Sequence, residues 1–378
     1  MKAARHPPEP FYKGIMATPD DFEPSSDRMK TIGTFNAGAT VVSDEHGEDV
    51  TLLMIRKAEM PVEPPGDMVP LPYFDVKNSP DSLFCIEFDW EPADAVEIEH
   101  GHVKLKSSGL NRLRHISYPI KAISRNGLTI DWKEETPGFY PCFEHERFGI
   151  EDVRITKIGK TYVFTYISPH RMFGVSTSVA ITKDFSSYTR LPVAETPKHI
   201  FTSMKDVAFF PSFVKHNTGK KYVSLIRPSA FPDMCKPGIW VSFSSDMEYW
   251  GDDRRVKTSE NGEISGAGAP PVEIDGMWVA PFHEVLEYTE NGREHRRYYG
   301  RLMGLDLMNP HRLLYTSGIL MKPGEFDIEP GFMPGVVYPT GFIVRDGVAD
   351  IYSGEDDTYL SVRRYYLEDL VKFLKASE

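Results

Sequence analysis

The sequence has few cysteines and no long apolar run. Cys85, Cys142 and Cys235 are the three cysteines among 378 residues, and they show no C-x-x-C spacing. The spacing therefore predicts neither a disulfide framework nor a zinc site, but free thiols in a reducing compartment. No apolar stretch is long enough to span a membrane, and the N-terminus MKAARHPPEPFYKGIM lacks the apolar core of a signal peptide. We expect a cytoplasmic protein without a membrane partner.

Dense basic clusters are also missing. The chain carries 43 Lys and Arg against 55 Asp and Glu, which gives a formal net charge of -12. Nucleic-acid binders show a basic patch or stripe, so no nucleic-acid partner is expected. The EHER stretch at residues 144–147 is not a zinc-binding H-E-x-x-H helix, and no metal site is predicted. A homo-oligomer is compatible with the sequence, which does not determine the oligomeric state.

Long helical patterns are scarce, whereas 30 Pro and 29 Gly separate short alternating or β-branched runs throughout the chain. These frequent Pro and Gly residues between short runs predict many short strands. The one helical pattern is the C-terminal LEDLVKFLKASE, with apolar residues at Leu367, Leu370, Val371 and Leu374. Residues 1–30, rich in Pro, Asp and Glu, are predicted to form an irregular N-terminal arm, and residues 31–378 the main domain.

A weak internal repeat predicts the architecture. The segments Gly159–Leu191 and Gly219–Gly251 each begin with a Gly-Lys turn and a Tyr-Val strand. Each ends with a Ser/Thr-x-Asp turn and an aromatic residue four positions after the Asp. Similar units elsewhere bring the number to about five. A small antiparallel sheet cannot bury both faces alone, and radial stacking of such sheets does so. The prediction is an all-β fold, a five-bladed β-propeller with a short C-terminal helix.

The run Glu151-Asp152-Val153-Arg154 places two acids and a cation inside a predicted inner strand. Strand alternation would put Asp152 and Arg154 on one face and Glu151 on the other. An Arg beside an Asp lowers the carboxyl pKa, which opposes a role as an acid unless burial offsets it. The pattern alone leaves two readings open, a catalytic carboxylate and a structural salt bridge.

Other charged residues have two readings as well. Lys205 and Arg227 lie on neighbouring predicted strands and could bind an anion such as phosphate, or form surface ion pairs. His283 lies in a predicted inner strand, where it is either a structural histidine or part of a functional site. Asp357 belongs to an acidic turn, whose carboxylates either stabilise the turn or bind sugar hydroxyls.

The order of motifs resembles glycoside hydrolase family 130, which contains β-mannoside phosphorylases and β-mannosidases on a five-bladed propeller. The resemblance covers roughly residues 31–370, and the ordered set is more specific than any single motif. The motifs are, in order, FNAGA, LLMIRKAE, GIEDVRIT, KDVAFFP, GKKYVSLIRP, GAGAPP, FHE, LDLMNP, GVVYPTG and IYSGEDDT.

The resemblance implies a role for each matched residue. Asp152 would be the general acid, relaying its proton through a mannose hydroxyl to the glycosidic oxygen. Inorganic phosphate would attack the anomeric carbon from the other face, with inversion, and would be a co-substrate in the absence of any cofactor. The mannosyl unit would be held by Asn36, Arg56 and Asp357, and phosphate by Lys205, Arg227, His283 and Tyr298.

The implied function is the inverting phosphorolysis of β-mannosyl oligosaccharides to mannose 1-phosphate and an acceptor sugar. Lys205 stands where many phosphorylases carry Arg.

A second hypothesis is an inverting β-mannosidase, which needs a carboxylate base for water, with Glu284 and Glu287 as candidates. A third is a non-catalytic glycan-binding propeller. Acceptor choice is expected to depend on the loops at residues 63–81 and 287–297.

Overall fold

The computed structural model describes residues 6–62, 66–76, 84–99, 101–171, 174–192, 200–229, 238–256, 264–290 and 293–376. Within these ranges the chain is mostly β, with 27 strands, three single-turn 3₁₀ helices and one C-terminal α-helix. The prediction of a β fold with a C-terminal helix is therefore confirmed. Cys85 and Cys142 are free thiols, and Cys235 lies outside the described residues.

The strands follow one another closely along the chain. Those before residue 200 are β1 (Tyr12–Ala17), β2 (Met29–Ser43), β3 (Asp49–Pro61), β4 (Met68–Phe74), β5 (Ile86–Pro92), β6 (Val96–Glu99), β7 (His102–Leu105), β8 (Asn111–Leu113), β9 (Ile116–Ser124), β10 (Trp132–Lys133), β11 (Glu151–Ile158), β12 (Thr161–His170), β13 (Gly174–Thr182) and β14 (Thr189–Leu191). The 3₁₀ helices are Pro19–Asp21, Ala93–Ala95 and Glu144–Glu146.

The second half of the chain has the same character and ends in the helix. Its strands are β15 (Met204–Phe209), β16 (Val214–His216), β17 (Gly219–Pro228), β18 (Trp240–Ser244), β19 (Trp250–Arg255), β20 (Ile264–Ala267), β21 (Val272–Ile274), β22 (Met277–Glu290), β23 (Arg293–Asp306), β24 (Leu313–Thr316), β25 (Val337–Arg345), β26 (Val348–Glu355) and β27 (Tyr359–Tyr366). Helix α1 is Leu367–Ala376.

Five larger antiparallel sheets are present in the described chain, each named here by one edge strand. Their orders are β2-β3-β9-β10, β11-β12-β13-β14, β15-β17-β18-β19, β20-β22-β23-β24 and β25-β26-β27-β1, with β16 and β21 pairing beside β17 and β22. Two small sheets, β4-β5 and β6-β7-β8, lie between β3 and β9 in sequence. Strand β1 pairs with β27, so the prediction of an irregular N-terminal arm is wrong over Tyr12–Ala17.

The repeat seen in the sequence corresponds to a turn between the third and fourth strands of two sheets. In the β11 sheet, Thr182 Oγ1 accepts a hydrogen bond from Phe185 N, and Asp184 Oδ1 accepts one from Ser186 N. The β15 sheet repeats the arrangement with a Ser and an Asp two residues later. Ser, Thr and Asp side chains that accept local backbone hydrogen bonds favour such turns, as the sequence predicts.

The apolar core consists mainly of five clusters, each shared by two neighbouring sheets. The pairs of sheets are β2 with β11, β11 with β15, β15 with β20, β20 with β25 and β25 with β2. Strand β3 shows the cause, because its side chains alternate between two faces. Leu52 and Met54 pack toward the β11 sheet, whereas Leu53 and Ile55 pack toward the β25 sheet. Each sheet therefore buries both faces.

Helix α1 covers the cluster between the β20 and β25 sheets through Leu370, Phe373 and Leu374, which are buried. Two of these three residues belong to the predicted apolar stripe. No helix in the described part of the chain is long and apolar enough to cross a membrane.

Gly38 on β2 is a point of close approach between two sheets, and replacing it tests that contact. A Cβ at Gly38 would lie 2.5 Å from the Val153 carbonyl oxygen on β11, whereas one at Gly251 would meet nothing within 4 Å. We expect Gly38→Ala to lower the free energy of unfolding by about 1–3 kcal/mol because of this overpacking. Gly251→Ala is the control, with a change within about 0.5 kcal/mol. Urea denaturation measures both, and equal stabilities would refute the contact.

Candidate active site

Three edge strands carry the same bulge. Each of these strands shifts its register against the neighbouring strand at one point. The shift comes just after Phe35 in β2, after Glu151 in β11 and after Lys205 in β15. The next residues, Asn36, Asp152 and Asp206, have φ of 47°, 49° and 56°. Asn and Asp adopt this left-handed conformation more readily than other residues with side chains. A bulge redirects a side chain, and here each one carries a polar residue into the same region between the sheets.

Asp152 is held by two donors on one of its oxygens. Asn36 Nδ2 and an Arg56 guanidinium nitrogen each donate to Asp152 Oδ1, at 2.9 Å in both cases. The other terminal nitrogen of Arg56 donates to Glu151 Oε1 at 2.8 Å, and Arg56 Nε donates to Ser117 Oγ at 3.0 Å. Among the described residues Asp152 Oδ2 accepts no hydrogen bond, so this oxygen is available to a ligand.

Asp357 completes the group around Asp152. It lies at φ 49° in the turn between β26 and β27. Burial raises the pKa of the Asp357 carboxyl to about 7, Arg56 opposes the shift, and Asp152 and Glu151 add to it. The structure therefore brings together the three residues predicted to hold the mannosyl unit, and it places them beside the predicted acid.

Arg154 does not pair with the Asp152 carboxylate. It donates to the backbone oxygens of Asp152 at 3.0 Å and Gly268 at 2.6 Å, and to the Tyr338 hydroxyl at 2.6 Å. The expectation that alternation puts Asp152 and Arg154 on one face as partners is wrong, because the bulge interrupts the alternation between them. Arg56, from the neighbouring β2 sheet, is the cation that binds Asp152.

Asp206 is a buried carboxylate, 1% exposed, at the centre of a second polar group. The Tyr338 hydroxyl donates to its Oδ1, and Arg227 Nε contacts its Oδ2. Arg154 lies 3.5 Å from Oδ1 and His283 Nε2 lies 3.9 Å from Oδ2. Burial raises the pKa of Asp206, but the nearby cationic groups, Arg227 first, hold it well below its usual value. The carboxylate is therefore ionised.

The four residues predicted to bind phosphate lie around Asp206. Lys205 precedes Asp206 and lies opposite Arg227 on the neighbouring strand β17. Burial, together with the positive charge of Arg227, lowers the pKa of Lys205. His283 is fully buried, and burial lowers its pKa to about 3, so the imidazole is neutral. The His283 ring stacks on Tyr298, with 5.6 Å between ring centroids. Their role in binding phosphate stays a prediction.

Gly266, in the GAGAPP stretch, is where β20 meets this group. A Cβ there would collide with Asp206 Oδ2 and His283 Cε1 and would lie 2.9 Å from Arg227 Nε. Glycine is therefore required for the three side chains to come together. Sequence reasoning did not identify Asp206 as a site residue. The signal was present, because KDVAF repeats the spacing of EDVRI, with an acid at the bulge position.

The two candidate bases for a hydrolytic reaction lie elsewhere. Glu284 follows His283 on β22 and so points to the opposite face of the strand. Its Oε2 accepts a hydrogen bond from Arg301 at 2.6 Å. Glu287 is exposed and pairs with Arg296 at 2.8 Å. Across the described ranges neither carboxylate contacts Asp152 or Asp206, and no group of three or more potential metal ligands is found.

Comparison with known proteins identifies relatives along almost the whole chain. The model of glycoside hydrolase family 130, described as beta-1,4-mannooligosaccharide phosphorylase, matches residues 116–376. A beta-1,2-mannobiose phosphorylase of Listeria innocua is 31% identical over 359 residues, which are 93% of this chain and 94% of the relative. A 1,2-beta-oligomannan phosphorylase of Thermoanaerobacter is 26% identical over 68% of this chain and 81% of its own.

The fold is also shared with a solved relative. The structure of the Listeria innocua beta-1,2-mannobiose phosphorylase, in complex with beta-1,2-mannobiose, matches with a TM-score of 0.80 and 28% identity. The match covers 95% of this chain and 97% of that one. The resemblance inferred from the order of motifs is therefore confirmed.

The raised pKa of Asp357 predicts a pH dependence of stability. The folded chain binds this proton up to about pH 7, whereas a free Asp side chain loses it near pH 3.8. The stability that Asp357 contributes is therefore present below about pH 4 and lost as pH rises toward 7. The free energy of unfolding of the wild type, minus that of Asp357→Asn, should fall between pH 4.5 and pH 8, by a few kcal/mol at most, because one pKa unit corresponds to about 1.4 kcal/mol.

Urea denaturation at a series of pH values measures this difference. The control is Asp184→Asn, which removes an exposed carboxylate whose pKa is lowered by hydrogen bonds from the backbone of Ser186 and Ser187. For the control the difference should not fall over the same range. A flat or rising difference for Asp357→Asn would contradict the burial of its carboxyl.

Proposed function

Because the chain belongs to glycoside hydrolase family 130, we propose that it catalyses the inverting phosphorolysis of β-mannosides to mannose 1-phosphate and an acceptor sugar. One observation carries the proposal. The carboxylate of Asp152, with its mannosyl-binding neighbours, lies beside a group of cations suited to an anionic nucleophile. The two groups are adjacent, since the charge of Lys205 interacts with those of Asp152 and Glu151.

We propose that the five larger sheets are the blades of a propeller. The five apolar clusters support this arrangement, because they link consecutive sheets and also the last sheet to the first. The strands β2, β11, β15 and β20 contact one another in that order, and β25 contacts both β2 and β22. In such a ring these edge strands line the centre, where their polar residues converge.

In the proposed reaction Asp152 is the only acid that the protein supplies. Asn36 and Arg56 fix Oδ1, which leaves Oδ2 to meet a mannose hydroxyl and pass a proton through it to the glycosidic oxygen. Asp357, beside it, would hydrogen-bond the same sugar. Because Arg56 also binds Glu151, the orientation of the Asp152 carboxylate is set before substrate binds.

Phosphate supplies the nucleophile, and the protein has to position it rather than activate it. Arg227 contacts Asp206 through Nε, so its two terminal nitrogens are left for the anion in the fork that oxyanions bind. Lys205, Tyr298 and His283 are the other proposed phosphate ligands. An anionic nucleophile removes the need for the carboxylate base of an inverting hydrolase. Glu284 is bound to Arg301, which disfavours the hydrolytic alternative.

The substrate to test first is β-1,2-mannobiose, because it is named for the Listeria innocua relative. Purified protein with this disaccharide should form mannose 1-phosphate at a rate that rises with phosphate and saturates. Without phosphate, release of free mannose should be negligible, because the site holds cations where a hydrolase holds a base. Anion-exchange chromatography separates and measures the two products.

Asp152→Asn and Asp252→Asn are the matched controls for this assay. Loss of the acid should lower kcat by about 100-fold or more, whereas the exposed Asp252 on β19 should be replaceable without effect. Undiminished release of free mannose in phosphate-free buffer would overturn the phosphorylase proposal. Full activity of Asp152→Asn would overturn the role of Asp152.

A further inference from the structure

Three buried polar atoms meet beside Gly266 without a hydrogen-bond partner among the described residues. They are Asp206 Oδ2, Arg227 Nε and His283 Nε2. Oδ2 and the Arg227 Nε are in close contact but outside hydrogen-bond geometry, and His283 Nε2 lies 3.9 Å from Oδ2. A buried polar atom without a partner costs free energy. Because a carboxylate oxygen can accept more than one hydrogen bond, Oδ2 can also accept one from a ligand, and the terminal nitrogens of Arg227 can donate to that ligand.

The charges at this place restrict the ligand further. Arg227, with Lys205 beside it, attracts an anion, but the ionised Asp206 carboxylate repels one. An oxyanion that keeps a proton can donate it to Oδ2 while its other oxygens accept from the cations. Hydrogen phosphate and hydrogen arsenate keep such a proton at neutral pH, whereas sulfate does not.

We propose that Asp206 makes the anion site selective for protonated oxyanions, so that it accepts hydrogen phosphate and rejects sulfate. The proposal rests on the phosphorylase function, and it adds a specificity-determining residue to it. The P–OH group would face Asp206, and an unprotonated oxygen would then be free to point at the anomeric carbon. Asp206 would thereby set the orientation of the nucleophile as well as its identity.

Isothermal titration calorimetry with inorganic phosphate, arsenate and sodium sulfate tests this without requiring turnover. The wild type should bind phosphate and arsenate at least about tenfold more tightly than sulfate, the ratio expected for one hydrogen bond to a charged group. Asp206→Asn should remove most of that preference by binding sulfate more tightly. Asp252→Asn should keep the wild-type ratio.

Two further measurements keep the test decisive. Tyr338→Phe removes the donor to Oδ1 but leaves Oδ2 in place, so its preference for phosphate should remain. If Asp206→Asn does not fold, the wild-type titration can still overturn the proposal. The proposal is overturned if the wild type binds sulfate as tightly as phosphate, or if Asp206→Asn weakens both anions by the same factor, which a purely structural role predicts. Phosphate binding without phosphate-dependent turnover would instead count against the proposed function.

Discussion

The ionised carboxylate of Asp206 is the constraint on which the site depends. A buried charge without compensation is strongly destabilising, so this residue requires partners from other parts of the fold. Arg227 comes from its own sheet, Arg154 from the β11 sheet and Tyr338 from the β25 sheet. Gly266 leaves the space in which these side chains meet. The same contacts that neutralise Asp206 therefore fix the proposed phosphate ligands.

A second constraint is the bulge shared by three edge strands. Each bulge puts an Asn or Asp into the left-handed conformation, and two of these residues, Asn36 and Asp152, hydrogen-bond each other. The third is Asp206. Each of the five larger sheets is held in place by apolar packing on both of its faces. The bulges in the edge strands direct polar side chains into the site. This division explains how a fold held together by apolar packing can carry a polar site between its sheets.

The regular parts of the structure could be predicted from the sequence. The strands, the Ser/Thr-x-Asp turns and helix α1 each have a local cause in alternation, side-chain hydrogen bonds or apolar spacing. The partner of Asp152 could not be predicted, because a bulge changes which face Arg154 occupies and Arg56 is distant in sequence. Strand β1 was missed for a related reason, since it pairs with β27 at the other end of the chain. The partners of Asp206 could not be predicted either, because they come from four sheets that meet only in the folded structure.

In the proposed reaction one acid, Asp152, acts on one side of the sugar, and a phosphate bound on the other side attacks the anomeric carbon. The stereochemistry of the product tests it most directly. Proton NMR of the first mannose 1-phosphate formed from a β-mannoside should show the α anomer, because a single displacement inverts the anomeric carbon. Formation of the β anomer would show retention and a covalent intermediate, and would contradict the account.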